Sequence, residues 1–157
     1  MSDIRAELKE MLHEFPAVHV EETEDMIAAT GTDENGFRVM LFDEPEEITV
    51  CFEGWHQHFP KDRHREALGL FLTGLADTCR LQVFSRGNTD YKWVVELKNF
   101  QGCWMYAGML MRPFPALELW KTRSQRRLQN TTLTREDIER LFPEARQPEP
   151  EEEPASA

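Results

Sequence analysis

The chain has 157 residues, 40% of them hydrophobic and 30% charged, with a formal net charge of −11. That length suits one domain with a packed core and excludes two of ordinary size, and no run of about eighteen apolar residues is present to span a bilayer. Ten phenylalanines and four tryptophans exclude a disordered chain, while a mean hydropathy of −0.59 points to a soluble exterior.

In chain order, Ile4, Leu8, Met11, Leu12 and Phe15 fall at helical spacing, with Ser2 placed to cap them. Residues 3–14 therefore read as an amphipathic helix ended by Pro16. The turn Asp33-Glu34-Asn35-Gly36 separates expected strands at 26–32 and 37–42. Asp43-Glu44-Pro45-Glu46 precedes a third at 48–53, and Val18-His19-Val20 is a candidate fourth member of this meander. From Asp62 the period changes: Leu68, Phe71, Leu72, Leu75 and Ala76 form one helical face, and Gly69 and Gly74 allow close approach to a sheet or loop.

Strands at 79–84, 91–97 and 103–111 follow, separated by the loop 85–90 and a turn through Asn99 and Gly102. After Pro113 and Pro115, the spacing of Leu117, Trp120, Ser124 and Leu128 predicts a helix, and Thr134 with Asp137 caps a last one before Ile138, Leu141 and Phe142. The expected order is α-β-β-β-α-β-β-β-α-α, an α+β fold with helices packed on an antiparallel sheet. Residues 1–143 form the expected domain. Residues 144–157, EARQPEPEEEPASA, read as an acidic, disordered tail because they offer no large apolar anchor.

The pattern GWHQHF, SRG and YKW, together with LADTCRLQVF, resembles short uncharacterised bacterial proteins over residues 37–111, a resemblance that implies no activity. In element order the first two-thirds also resembles type III secretion chaperones, which implies a small acidic binding protein.

The stretch EGWHQHFP places His56 and His58 where two imidazoles on one strand face could ligate one zinc or iron. His64, Asp62 and Glu53 are near in sequence, but none is at a spacing that supplies a third ligand, so no cofactor is expected. Parity argues for a second role. Ile48, Val50 and Phe52 set an inward face that, continued unchanged, would bury the histidines and expose Trp55 and Phe59. A bulge at Gly54 shifts the phase and turns Trp55, Gln57 and Phe59 inward.

Cys51, Cys79 and Cys103 sit in apolar strand-like runs and read as reduced, buried residues of a cytoplasmic protein; no leader of basic-then-apolar type opens the chain. No nucleophile elbow or phosphate-cradling glycine loop occurs, so the sequence favours a binding protein over an enzyme.

Charge is unevenly placed. Residues 21–53 hold eleven carboxylates against Arg38 alone, whereas 112–127 hold five bases against Glu118. The run 120–127 combines Trp120 with Lys121, Arg123, Arg126 and Arg127, a mix able to meet phosphate or single-stranded nucleic acid, but the overall charge sets nucleic acid aside. The expected partner is a basic protein, met by Asp33, Glu34, Asp43, Glu44, Glu46 and Glu47 in the two turns of the meander, with no membrane involved.

Overall fold

In the computed structural model, which describes residues 3–113 and 120–143, the first element is helix α1 (Ile4–Leu12). Ile4, Leu8 and Leu12 recur every fourth residue and are buried. The cap is Asp3 and not Ser2, which lies outside the described residues; the Asp3 carboxylate accepts a hydrogen bond from the Arg5 amide at 3.0 Å.

Five strands then form an antiparallel meander: β1 (His19–Glu22), β2 (Met26–Thr30), β3 (Val39–Asp43), β4 (Glu47–Phe52) and β5 (Trp55–Pro60), each paired with the next. A 3₁₀ turn at Lys61–Arg63 leads into α2 (His64–Gly74), which packs on β3, β4 and β5. The second sheet contains β6 (Cys79–Arg86), β7 (Thr89–Lys98), β8 (Trp104–Met111) and β9 (Arg123–Gln129) in the order β8-β7-β6-β9, all antiparallel. Helix α3 (Arg135–Leu141) carries the expected capping box between Thr134 and Asp137.

The fold is therefore α+β, as expected, but with two antiparallel sheets of five and four strands where one sheet was expected, built from a meander of three strands, or four with the candidate at 18–20, and three more. Two departures account for most of this. Residues 48–59 are not one bulged strand: Glu53 and Gly54 make a two-residue turn, Glu53 adopts φ +53°, and β5 folds back on β4 with Phe52 opposite Trp55. The segment expected as a helix around 117–128 is, in its described part, β9, paired with β6 from Arg86↔Arg123 to Arg80↔Gln129. Pairing along β6 outweighs the helical spacing, and Trp120, counted into that spacing, is 81% exposed.

Smaller corrections have local causes. Phe37 and Arg38 drop out of β3 because the Asn130 side chain takes over the backbone of Phe37, accepting from its amide at 3.1 Å and donating to its carbonyl at 2.9 Å. The loop 85–90 shrinks to the two residues Gly87 and Asn88, with Gly87 at φ +56°. Cys103 is exposed and Cys51 half-buried, so only Cys79 is the buried thiol expected of all three. The assigned tail, 144–157, lies outside the described residues.

One hydrophobic cluster runs from α1 through both sheets to α3. Its hinge is aromatic: Trp55 stacks 5.1 Å from Phe52, and a Cβ at Gly108 of β8 would lie 3.3 Å from the Trp55 indole. On β6 the residues alternate strictly, with Cys79, Leu81, Val83 and Ser85 turned to this core and Arg80, Gln82, Phe84 and Arg86 turned away. Among the described residues, no helix is long and apolar enough to cross a membrane.

Candidate functional site

The six expected partner-binding residues divide between two ends of the first sheet. In a meander, successive turns alternate ends, so Asp33 and Glu34, between β2 and β3, lie at the end opposite Asp43, Glu44, Glu46 and Glu47, between β3 and β4. Asp33 is committed to the fold: its carboxylate accepts from the Thr131 amide at 2.8 Å and the Thr131 hydroxyl at 2.6 Å. Glu34 is exposed on its turn and makes no ion pair among the described residues.

The other end is denser than the sequence reading had it. The turn between β1 and β2 arrives there too, and the Asp43 amide donates to the Asp25 carbonyl at 2.9 Å, tying the two turns together. Glu24 and Asp25 thus join Glu44 and Glu46 in one exposed rim, and among the described residues none of these four takes part in an ion pair. Asp43 is paired with Lys61, and Glu47 lies 3.0 Å from His58 Nδ1. The alternation of turns was the available signal for adding Glu24 and Asp25.

Beside this rim opens a cleft of about 620 Å³, lined by Ile4, Pro45 and Ile48 together with Asp3, Arg5, Asp43, Lys61 and His64. Two of its cations are already engaged. Arg5 donates to the carbonyls of Thr23, at 3.1 Å, and Glu24, and Lys61 holds Asp43.

His56 and His58 point outward from β5 beside each other, their rings 5.0 Å apart and edge-to-face. Trp55 and Phe59 are buried as the parity argument required, although Gln57 is exposed and the phase shift comes from the turn and not from a bulge. His58 Nδ1 also lies 2.9 Å from the Thr49 hydroxyl, and Cys51 is the cross-strand neighbour of His56. Two nitrogen donors do not complete a zinc site, and among the described residues no group of three or more histidine, cysteine and carboxylate side chains converges. Burial, with Glu44 adding to it, pushes the Cys51 thiol up to about 11, so beside His56 it stays protonated at neutral pH and makes a poor nucleophile. Burial alone takes Cys79 to about 12.

The basic run found near 121–127 lies along β9, an edge of the second sheet. Arg126 faces inward and grips Asp90 through two bonds of 2.7 Å, with Ser85 Oγ 3.1 Å away; these contacts hold the Asp90 carboxyl below the usual carboxylate range. Arg123 and Arg127 alternate to the outer face. There they meet bases the sequence reading passed over, because these are spread singly along β6 and β7: Arg80 and Arg86, Lys92 and Lys98. The Arg80 guanidinium bonds Glu96 at 3.0 Å, depressing the Glu96 pKa, and lies 4.2 Å over the Trp104 ring. Along the β8 margin of the same face stand Tyr106, Met109 and Met111, each about half exposed or more.

No protein-family model, curated protein or solved structure matches this chain.

Proposed function

We propose that this chain is a non-enzymatic, cytoplasmic protein-binding module of chaperone, adaptor or toxin-neutralising type, which meets a basic partner at the acidic end of its first sheet. The observation that carries the reading is the hydrogen bond between Asp43 and Asp25, which holds Glu24, Asp25, Glu44 and Glu46 together as a rim whose four carboxylates make no ion pair among the described residues, the nearby Arg5 being bonded to backbone carbonyls and Lys61 to Asp43. Like charges held this close repel one another, a cost that a basic ligand relieves.

The test begins with the native partner, captured from its own cell extract. Changing Glu24, Glu44 and Glu46 to Gln is expected to slow association several-fold at low salt, with the difference closing at high salt, while Glu34→Gln at the opposite end changes nothing. An unaltered rate and salt dependence in the triple variant defeats the reading and leaves the rim as solvated surface.

A further inference from the structure

The outer face of the second sheet differs in kind from the rest of the molecule. In a chain of net charge −11, the residues that β6, β7 and β9 turn outward include six bases and the single carboxylate Glu96, which is already held by Arg80. The adjoining margin, β8, carries no charged residue and leaves Tyr106 68%, Met109 45% and Met111 54% exposed. Among the described elements, α2 and β5 pack on the inner face, through Leu81 and Val95 of the core and through Gly108 against Trp55. The outer face thus has an uncharged, largely apolar margin at β8 and two bases on each of β7, β6 and β9.

We propose that this face docks an acidic, amphipathic segment of a partner protein, with the segment's apolar side on β8 and its carboxylates on the bases of β7, β6 and β9. Dimensions and charge both fit. Four strands at about 4.8 Å spacing separate the two margins by roughly 14 Å, close to the 10–12 Å diameter of a helix with its side chains. Methionines at the apolar margin are unbranched and polarisable, and so adapt to irregular apolar surfaces. Lys92 and Arg123, near one end of the face, take part in no ion pair among the described residues.

Single-stranded nucleic acid is the rival polyanion, and the aromatic geometry speaks against it. Stacking of successive bases needs several open ring faces, whereas the Trp104 ring lies under Arg80 at 4.2 Å and the Phe84 ring under Lys92 at 5.0 Å, which leaves Tyr106 as the one well-exposed ring among the described residues of the face. The chain's own residues 144–157 are acidic but carry no large apolar side chain, so they would satisfy the basic margin alone.

The experiment uses the full chain and fluorescence anisotropy of labelled probes. The main probe is a synthetic peptide of about 15 residues, with Glu and Leu at helical spacing and roughly 22 Å long as a helix, against about 26 Å for the eight residues of β8. Polyglutamate and oligothymidylate of equal length are the comparisons. The amphipathic peptide is expected to bind at least tenfold more tightly than either. Arg123→Gln with Arg127→Gln should weaken it about tenfold at low salt and less at high salt, whereas Met109→Ser with Met111→Ser should weaken it at every salt concentration. Near-ultraviolet circular dichroism identifies any variant that fails to fold, and Lys92→Gln with Tyr106→Ser is the alternative pair, one base of β7 and one apolar residue of β8 on the same face. Tighter binding of oligothymidylate, equal binding of polyglutamate, or indifference to both folded pairs overturns the proposal. So does a more than tenfold gain for every anionic probe when residues 144–157 are removed, which would make the chain's own tail the occupant.

Discussion

Replacing Trp55 by alanine tests how the two sheets share one core. The indole is 6% exposed, lies 5.1 Å from the Phe52 ring, and is approached by Gly108 of β8 so closely that a Cβ there would sit 3.3 Å away. Burying a tryptophan removes about 200 Å² from water, and at ~25 cal/mol per Å² the upper bound of its contribution is about 5 kcal/mol. Because the Gly108 backbone walls one side and the fully buried Phe52 ring another, the site collapses poorly after truncation, and a loss of about 3–5 kcal/mol is expected. Urea unfolding followed by far-ultraviolet circular dichroism measures it, as a lower midpoint at unchanged slope. The matched control is His56→Gln with His58→Gln on the same strand. Both side chains face solvent, and the contact of His58 with Glu47 joins side chains 52% and 42% exposed, so the double change should cost less than about 1 kcal/mol. A Trp55→Ala loss below about 1.5 kcal/mol, or a double-histidine loss as large as the tryptophan's, would refute the assignment of the burial phase on β5.

Three further outcomes follow from single contacts. Asn130 is 1% exposed and donates to the carbonyls of Phe37 and Gly74, each at 2.9 Å, while accepting from the Phe37 amide. Asn130→Ala leaves three buried groups unpaired and should cost about 3 kcal/mol or more by urea unfolding. Gly74→Ala would normally favour a helix by up to about 1 kcal/mol, but its Cβ would lie 2.5 Å from the Phe52 ring and 3.0 Å from Val39, so a net loss of about 1–3 kcal/mol is expected in a thermal melt. Arg126 and Ser85 hold the Asp90 pKa down, and Arg80 and Gln82 do the same for Glu96; carboxylates depressed in the folded state stabilise it fully above their unfolded values and lose that contribution as pH falls through the folded ones. Unfolding free energy should therefore drop between about pH 5 and pH 2, and Asp90→Asn with Glu96→Gln should flatten that limb.

What was legible in the sequence was local. The face of α2, the capping box at Thr134, the antiparallel meander and the burial of Trp55 and Phe59 each follow from spacing within a few residues, and the structure bears them out. What was not legible depended on partners distant in sequence. Residues Arg123–Gln129 carry a helix-like spacing and become a strand because β6 offers an edge some forty positions away. Phe37 leaves its strand because Asn130, 93 positions on, bonds its backbone. The rim at Glu24, Asp25, Glu44 and Glu46 needed only the rule that turns alternate ends, and so could have been found; the grouping of Asp33 with Asp43 overlooked it.

Net charge says little about any one face of this fold, for a physical reason. A sum of −11 describes the far field, but at physiological ionic strength a partner feels chiefly the charges within a Debye length of about 8 Å. Strand geometry sorts charge on that scale. Alternation sends Arg80, Arg86, Lys92 and Lys98 to one face although they stand singly in sequence, and β9 lays Arg123 and Arg127 beside them. The carboxylates between Glu21 and Glu53 belong to the other sheet and its turns. Two surfaces of opposite sign lie on separate sheets of one small acidic chain, so the field an approaching molecule meets depends on the face and not on the total.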